Sequence, residues 1–334
     1  MPSFSTHLTR LLQGLFTLLL TLFGLLLVTF SLSALSPVDR VLQIVGDHAS
    51  QSTYDQVRHQ LPVQFWHYLV NLAHGDLGIA SATGQPVLHD LLAVFPATLE
   101  LATLALIVGA VLGIVAGVLC ARYAGSPWDL AVRTFTLLGN SVPIFWLGLL
   151  MLALFYARLQ WAPGPGRLDD IYQYTVEPRS GFALIDTWLS GDTAAFKNAI
   201  GHLTLPVLVL AYYSLASITR LTRSACLSEM NKEYILLARA KGAGEMTILL
   251  RHVLPNIRGT LLTVTALAWT SMLEGAVLTE TVFSWPGIGR YLTTALFAGD
   301  TTAIMGGTLL IGVSFVLINN LTDLLVRLTD PRVR

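Results

Sequence analysis

The stretch 233-EYILLARAKGAGEMTILLRHVLPN-256 decides how the rest of the chain is read. It opens with helix-forming residues, Glu233 to Ala240, is interrupted by Gly242 and Gly244, and closes on Leu254-Pro255. Lys232, Arg239, Lys241 and Arg251 make it basic in a chain that is otherwise mostly apolar. Long apolar runs lie on both sides, so the segment reads as a loop joining two membrane spans. A basic loop able to form a helix suits lipid headgroups or a docked partner protein, and the remaining sequence decides between them.

Of the 334 residues, 54% are apolar and 12% charged, and the mean hydropathy is +0.64. A soluble domain carries about 25% charged residues. This much apolar surface finds its solvent in a bilayer, and at about 20 residues per span there is room for several helices and little for a soluble domain. Cys120 and Cys226 are far apart, in or beside apolar segments, which argues against a disulfide framework or a metal site.

Working outward, the chain predicts an all-α membrane protein with six spans. The first, residues 11–35, is uncharged and far longer than the roughly 7–15 residue apolar core of a secretory signal, so it is read as an uncleaved span following a short N-terminus, 1–10. A polar stretch, 36–96, follows, with a possible amphipathic helix from Asp55 to Ala73 and turn-forming residues at Gly75–Val87. Pro96 is expected to open the second span, 97–121, in which Gly109, Gly113 and Gly117 form a small-residue stripe for close helix packing. The third span, 134–157, is expected to bend at Pro143. After a second long polar stretch, 158–202, come a shorter fourth span, 203–219, and the 220–258 loop. The fifth span, 259–283, an amphipathic segment, 284–302, and the sixth span, 303–326, complete the chain.

Charge orients these spans. Arg220, Arg223, Lys232, Arg239, Lys241, Arg251 and Arg258 all fall within 220–258, and Arg10, Arg122, Arg133 and the C-terminal arginines lie on the same side. The opposite loops are longer, yet hold fewer basic residues and most of the acids. The positive-inside rule then places both termini and the 233–256 stretch in the cytoplasm, with the long loops outside.

No catalytic chemistry is visible. No Lys-Ser or Lys-Thr follows a glycine-rich turn, and neither His-Glu-x-x-His nor Gly-x-Ser-x-Gly occurs. The eight histidines are scattered without ligand spacing. The absence of inverted repeats weighs against a secondary transporter working alone, which would need no docking loop.

Ala238-x3-Gly242-x11-Leu254-Pro255 resembles the cytoplasmic "EAA" loop of permease subunits of ATP-binding-cassette importers. Two positions depart from that pattern: Glu-Ala-Ala reads Leu236-Leu237-Ala238, and the isoleucine two residues before Leu-Pro reads His252. The motifs GDLG (75–78), FPATLEL (95–101), SVPIFWLGLL (141–150), ETVFSWPGIG (280–289) and the terminal LTDPRVR are similar to the first membrane subunit of dipeptide and oligopeptide permeases. GQPV, GFALIDTWLS and VFSWPGIGRYL look most like the B subunit of Sap permeases, linked with antimicrobial peptides and putrescine.

The resemblance implies a type I importer permease fold, with an ABC transmembrane type-1 domain over 97–328, in a bacterial inner membrane. It implies a second homologous permease as heterodimer partner, two cytoplasmic ATPases that hold ATP and Mg, and a periplasmic solute-binding protein. The chain itself is expected to bind no cofactor, metal or nucleic acid and to catalyse no reaction. It implies a coupling helix involving Glu233, Tyr234, Leu237, Ala238, Arg239, Ala240, Lys241, Gly242, Met246, Leu254 and Pro255. Within it, Gly242 and Gly244 reverse the chain and Pro255 keeps the next segment from running straight back. Exposed ion pairs are worth only about 0–1 kcal/mol, so Tyr234, Leu237, Ala238 and Met246 are expected to carry most of the docking. In the membrane, Glu274 and Glu280 are the acids to place, because a mid-bilayer charge costs at least about 2.5 kcal/mol and turns toward a cavity or partner. Glu280 also suits a structural cap. Glu274 suits a path for cationic peptides or a polyamine, and Asn140, Ser141 and Pro143 are further pathway candidates.

Overall fold

The computed structural model describes residues 18–31 and 61–329. The expected N-terminus at 1–10, parts of the first span, all of residues 36–60, with the start of the expected amphipathic helix, and the last five residues lie outside them. The described residues contain no strand, only an isolated antiparallel bridge between Ile79 and Pro86. They form two compact units, one of residues up to Phe95 together with Tyr291–Leu317, the other of Pro96–Arg290 together with the chain from Ile318.

In the first unit, α1 (Leu18–Ser31) and α2 (Leu61–Ala73) pack through Leu26 and Phe30 against Phe65, Tyr68, Leu69 and Leu72, with Met305 of α13 (Thr301–Thr329). Of the apolar positions expected along an amphipathic helix, Phe65, Tyr68 and Leu72 thus face its neighbours. After α2 the GDLG turn forms because Gly75 and Gly78 take φ of 82° and 83°, and the Asp76 carboxylate accepts the Gly78 N–H at 2.8 Å. Asp300 caps α13 by accepting the Ala303 N–H and also takes the N–H groups of Ser81 and Ala82.

The second unit holds most of α3 (Val87–Arg122), followed by α4 (Pro127–Ser141) and α5 (Ile144–Met151), the latter prolonged by a π-helical stretch, Leu152–Arg158. Two short helices, α6 (Asp170–Thr175) and α7 (Ala183–Leu189), lead to α8 (Thr193–Met230), which is 38 residues long. Then come α9 (Glu233–Ala240), α10 (Glu245–Ile248), a π-helical stretch Leu249–Val253, and α11 (Leu254–Val282); α12 (Ile288–Ala298) starts in this unit and belongs to the first from Tyr291 on. Leu101, Ala102 and Ala105 of α3, Leu203, Val207 and Leu210 of α8, Met272 and Leu273 of α11, and Trp285 make the main core. The glycine stripe packs α3 on α8. A Cβ on Gly109 would collide with Ser214, one on Gly113 would press on Ile218, and one on Gly117 would lie 2.6 Å from Thr222 Cβ.

Among the described residues, four helices are long and apolar enough to cross a membrane, and a fifth crossing arises if α4 and α5 count as one broken span. Two prolines, Pro96 and Pro255, behave differently from the sequence expectation, and the span around a third, Pro206, is longer than expected. Pro96 does not open a helix, since α3 starts at Val87 and runs through it. Pro206 lies inside α8, which extends well beyond the expected 203–219 because Leu203, Leu205, Val207 and Val209 anchor both flanks in the core. Pro255 likewise does not interrupt the chain: from Glu245 to Val282 the helix is continuous. The widened turns before it explain this. The Leu254 N–H reaches back five residues to Leu249 O, so the tighter α geometry that would clash with the proline ring is absent. Pro143 breaks its helix more sharply than a kink. Val142 and Pro143 are extended, as a residue before proline prefers, and α4 and α5 diverge by 102°.

Candidate functional site

The 233–256 stretch folds as a knob on a buried footing. Ile235 of α9, Ile248 of α10, and Leu249 and Val253 of the π-helical stretch are fully buried against Val118 and Ala121 of α3 and Cys226 of α8. The sequence supplies this footing as apolar residues on one side of each short helix, with Leu236, Leu237, Met246 and Leu250 left exposed on the other. Gly242, at φ 84°, makes the reversal, while the Gly242 N–H donates to Arg239 O and the Ala243 N–H to Ala238 O, at 2.9 and 3.1 Å. Gly244 then caps α10.

Polar contacts stiffen the knob. Arg239 clasps Glu245 across the turn with Nε to Oε1 at 2.7 Å and Nη2 to Oε2 at 3.1 Å, and this hydrogen-bonded carboxylate raises the Arg239 pKa above its usual value. The Tyr234 hydroxyl donates to Glu229 at 2.7 Å and accepts from Asn256 Nδ2 at 3.1 Å, linking α9 to the end of α8 and the start of α11. Lys232 also pairs with Glu229 at 2.7 Å. Of the expected docking residues, Leu237 and Met246 are exposed, Tyr234 exposes part of its ring, and Ala238 is half-buried against the footing. Leu236, noted in the sequence only as a departure, is as exposed as Leu237. Glu233, Ala240 and Lys241 lie on the open surface, whereas Leu254 and Pro255 belong to the continuous helix behind the knob.

A second site lies at the α4–α5 break. An open hollow of about 450 Å³ is lined by Ser141, Val142, Pro143, Ile144 and Phe145 from the break, Tyr213 from α8, and Ser271, Glu274, Gly275 and Leu278 from α11. Three sequence candidates, Ser141, Pro143 and Glu274, therefore meet here. Asn140 is their chain neighbour at the end of α4. Tyr213 and Ser271 carried no signal in the sequence, because their placement depends on how α8 and α11 pack.

Glu280 is elsewhere and differently used. It is 0% exposed, and its carboxylate accepts the Thr98 hydroxyl and the Gly289 N–H, both at 2.6 Å, and the Arg290 N–H at 3.3 Å. The Thr98 oxygen in turn accepts the Ile288 N–H at 2.8 Å, and the Trp285 indole donates to Ala97 O at 2.9 Å. A Cβ on Gly287 would overlap this carboxylate, which explains a glycine there. The FPATLEL and ETVFSWPGIG motifs thus form one clamp, and Glu280 is its centre. Glu100 of the first motif extends the clamp outward, binding Arg167 Nη2 at 2.6 Å and the N–H groups of Ala183 and Leu184. The sequence offered Glu100 only as a motif letter.

A membrane subunit built as a core of long helices with a rigid knob between α8 and α11 is the class this architecture defines, and the comparisons with known proteins specify it. Residues 113–334 match the family model of the binding-protein-dependent transport system inner membrane component, and the chain belongs to that family. It is 41% identical to the di/tripeptide transport system permease protein DppB of Pseudomonas aeruginosa, over 94% of this chain and 95% of that one. It is 42% identical to the probable D,D-dipeptide transport system permease protein DdpB of Escherichia coli, over 95% and 94%. Identity to the putrescine export system permease protein SapB of E. coli is 37%, over 80% of this chain and 84% of that one. Among solved structures, the MetNI methionine ABC transporter in an inward facing conformation is similar at a TM-score of 0.52 and 19% identity, covering 70% of this chain and 93% of that one. The fold is that of a type I importer permease, and the chain is a multi-pass inner-membrane protein of a system that includes ATPase and binding-protein components.

Proposed function

We propose that this chain is one of two homologous permease subunits forming the pathway of an ATP-driven peptide importer, with α9 and α10 seated in a cleft of an ATPase partner. The observation that carries this reading is the knob itself: a fully buried footing at Ile235 and Ile248 under exposed Leu236, Leu237 and Met246. A rigid base with an apolar tip transmits a push, whereas a lipid-facing loop needs neither. The identity to di/tripeptide and dipeptide permeases over nearly the whole chain supports peptides as the substrate class. On this reading both termini and the knob are cytoplasmic, six spans cross the membrane, and a periplasmic binding protein delivers substrate to the outer loops. The chain catalyses no reaction; ATP and Mg are held by its partners.

The hollow of Ser141, Pro143 and Glu274 is the proposed pathway surface. A carboxylate exposed on a membrane helix turns toward a hydrated cavity or a partner, and Glu274 stands beside a helix break that opens one. Glu280 is left out of the pathway, since its acceptor capacity is spent inside the clamp. A second reading, movement of a polyamine, is favoured by the similarity to SapB together with the acid at 274.

The deciding experiment is uptake by the reconstituted transporter with dipeptides, longer cationic peptides and putrescine in competition, alongside a pull-down of ATPase. Copurification of an ATPase and ATP-dependent peptide uptake are expected. Transport that survives ATP depletion without a copurifying ATPase would sink the reading, and uptake of putrescine with no competition by peptides would move it to the polyamine class.

A further inference from the structure

We infer that Arg133 and Arg220 form a carboxylate-receiving site on the same face as Glu274, toward the cytoplasmic end of α8, so that this face engages the two ends of a peptide separately. The inference rests on the pathway reading above. A groove of about 260 Å³ lies between α4 and α8, lined by Arg133, Thr136 and Leu137 on one side and Thr219, Arg220 and Ser224 on the other. Arg223 also borders it but is already committed: its Nε and Nη2 grip both oxygens of Asp129, at 2.7 and 2.8 Å. Asp129 further accepts the Gly125 N–H, so its carboxylate is already engaged. Arg133 and Arg220 are exposed and form no ion pair among the described residues. On the groove wall, Thr219 is 2% exposed, and its Oγ1 has no hydrogen-bond partner among the described residues. Two uncommitted guanidinium groups and a buried, unpartnered hydroxyl are the donor set that a carboxylate takes.

Position ties the groove to the hollow. Tyr213 in the hollow and Arg220 in the groove are seven residues apart on α8, two turns along one face and about 10 Å in rise. An extended di- or tripeptide spans about 7–10 Å. The hollow that holds Glu274 and the groove that holds Arg133 and Arg220 are thus offset along α8 by about the length of such a peptide, which suits its ammonium group at the first and its carboxylate at the second, with the carboxylate end leading toward the cytoplasm.

The test places a photoreactive residue at Leu137 in the complete transporter, reconstituted in liposomes containing acidic phospholipid and energised with ATP. A tripeptide with a free carboxylate and the same tripeptide amidated are offered at equal occupancy of the binding protein. Capture of the free acid is expected to exceed that of the amide by about fivefold, the size of a partly exposed charge pair. Arg133→Gln with Arg220→Gln should abolish this preference, and Arg133→Lys with Arg220→Lys should retain most of it. Equal capture of acid and amide by the unaltered transporter overturns the carboxylate site while leaving the pathway reading intact. No peptide capture during normal uptake removes this face from the pathway, and capture of lipid in place of peptide overturns the inference in favour of a headgroup site.

Discussion

Glu274 and Glu280 lie six residues apart on α11, yet one is exposed beside an open hollow and the other is sealed at 0% exposure. The difference is the supply of partners. Around Glu280 the Thr98 hydroxyl and two backbone N–H groups converge, held there by the Trp285 bond to Ala97 and by a glycine at 287. Around Glu274 the chain instead opens at Val142-Pro143, and Ser141, Tyr213 and Ser271 line the space. A buried carboxylate with all its acceptors used stabilises a joint between segments. One left exposed in a membrane helix is available to something outside the chain. The knob shows the same division, with Ile235 and Ile248 committed to the footing and Leu237 and Met246 left for a partner.

If this division is right, damage to committed residues costs assembly and damage to uncommitted ones costs function alone. The largest effect is expected for Glu280→Ala. It strands the Thr98, Gly289 and Arg290 donors, each at about 1–3 kcal/mol when buried, and recovery of the assembled complex and its thermal midpoint should both fall sharply. A normal midpoint would break the comparison. Next, Gly242→Asp forces a side chain into left-handed backbone at about 1–2 kcal/mol and misaligns the reversal. Uptake should drop at least about tenfold while the subunit still reaches the membrane; intact ATPase binding and uptake would show that this loop is not the coupling element.

Smaller effects sharpen the contrast. Leu237→Ala with Met246→Ala removes exposed anchors, so ATPase affinity measured by titration should weaken by about tenfold with no change in permease stability. Glu274→Gln should lower uptake of cationic peptides by about fivefold in vesicles with normal assembly, and unchanged uptake of every cationic substrate would remove it from the pathway. The least effect belongs to Arg239→Gln. Its pair with Glu245 is exposed, so the loss should stay below about 1 kcal/mol and shrink further at high salt, as read from ATPase affinity in a salt series.

Much of this was legible from residue patterns because the bilayer restricts the options so severely. Uncharged runs announced helices, and Gly242 with Gly244 marked a reversal at the place where the chain turns. Pro96 and Pro255 were misleading, since whether a proline ends a helix depends on packing at its flanks and on room for a widened turn, as at Leu249–Val253. Exposure within the knob was only half legible: Leu237 and Met246 stood out as anchors, but Leu236 looked like a flaw in a motif.

By itself, the sequence determined that the chain is a helical membrane protein with a basic, helix-forming segment at 233–256. Hydropathy, charge and local backbone preference are carried by each residue alone and need no partner to be read. Only the tertiary structure decided that Ser141, Pro143 and Glu274 share one hollow, and that, among the described residues, Glu280 is spent and Glu274 is not, and Arg223 is neutralised while Arg133 and Arg220 are left outside any ion pair. Those outcomes depend on which helices meet, and the same side chain becomes a structural joint or a functional group according to the donors and acceptors that packing places within reach.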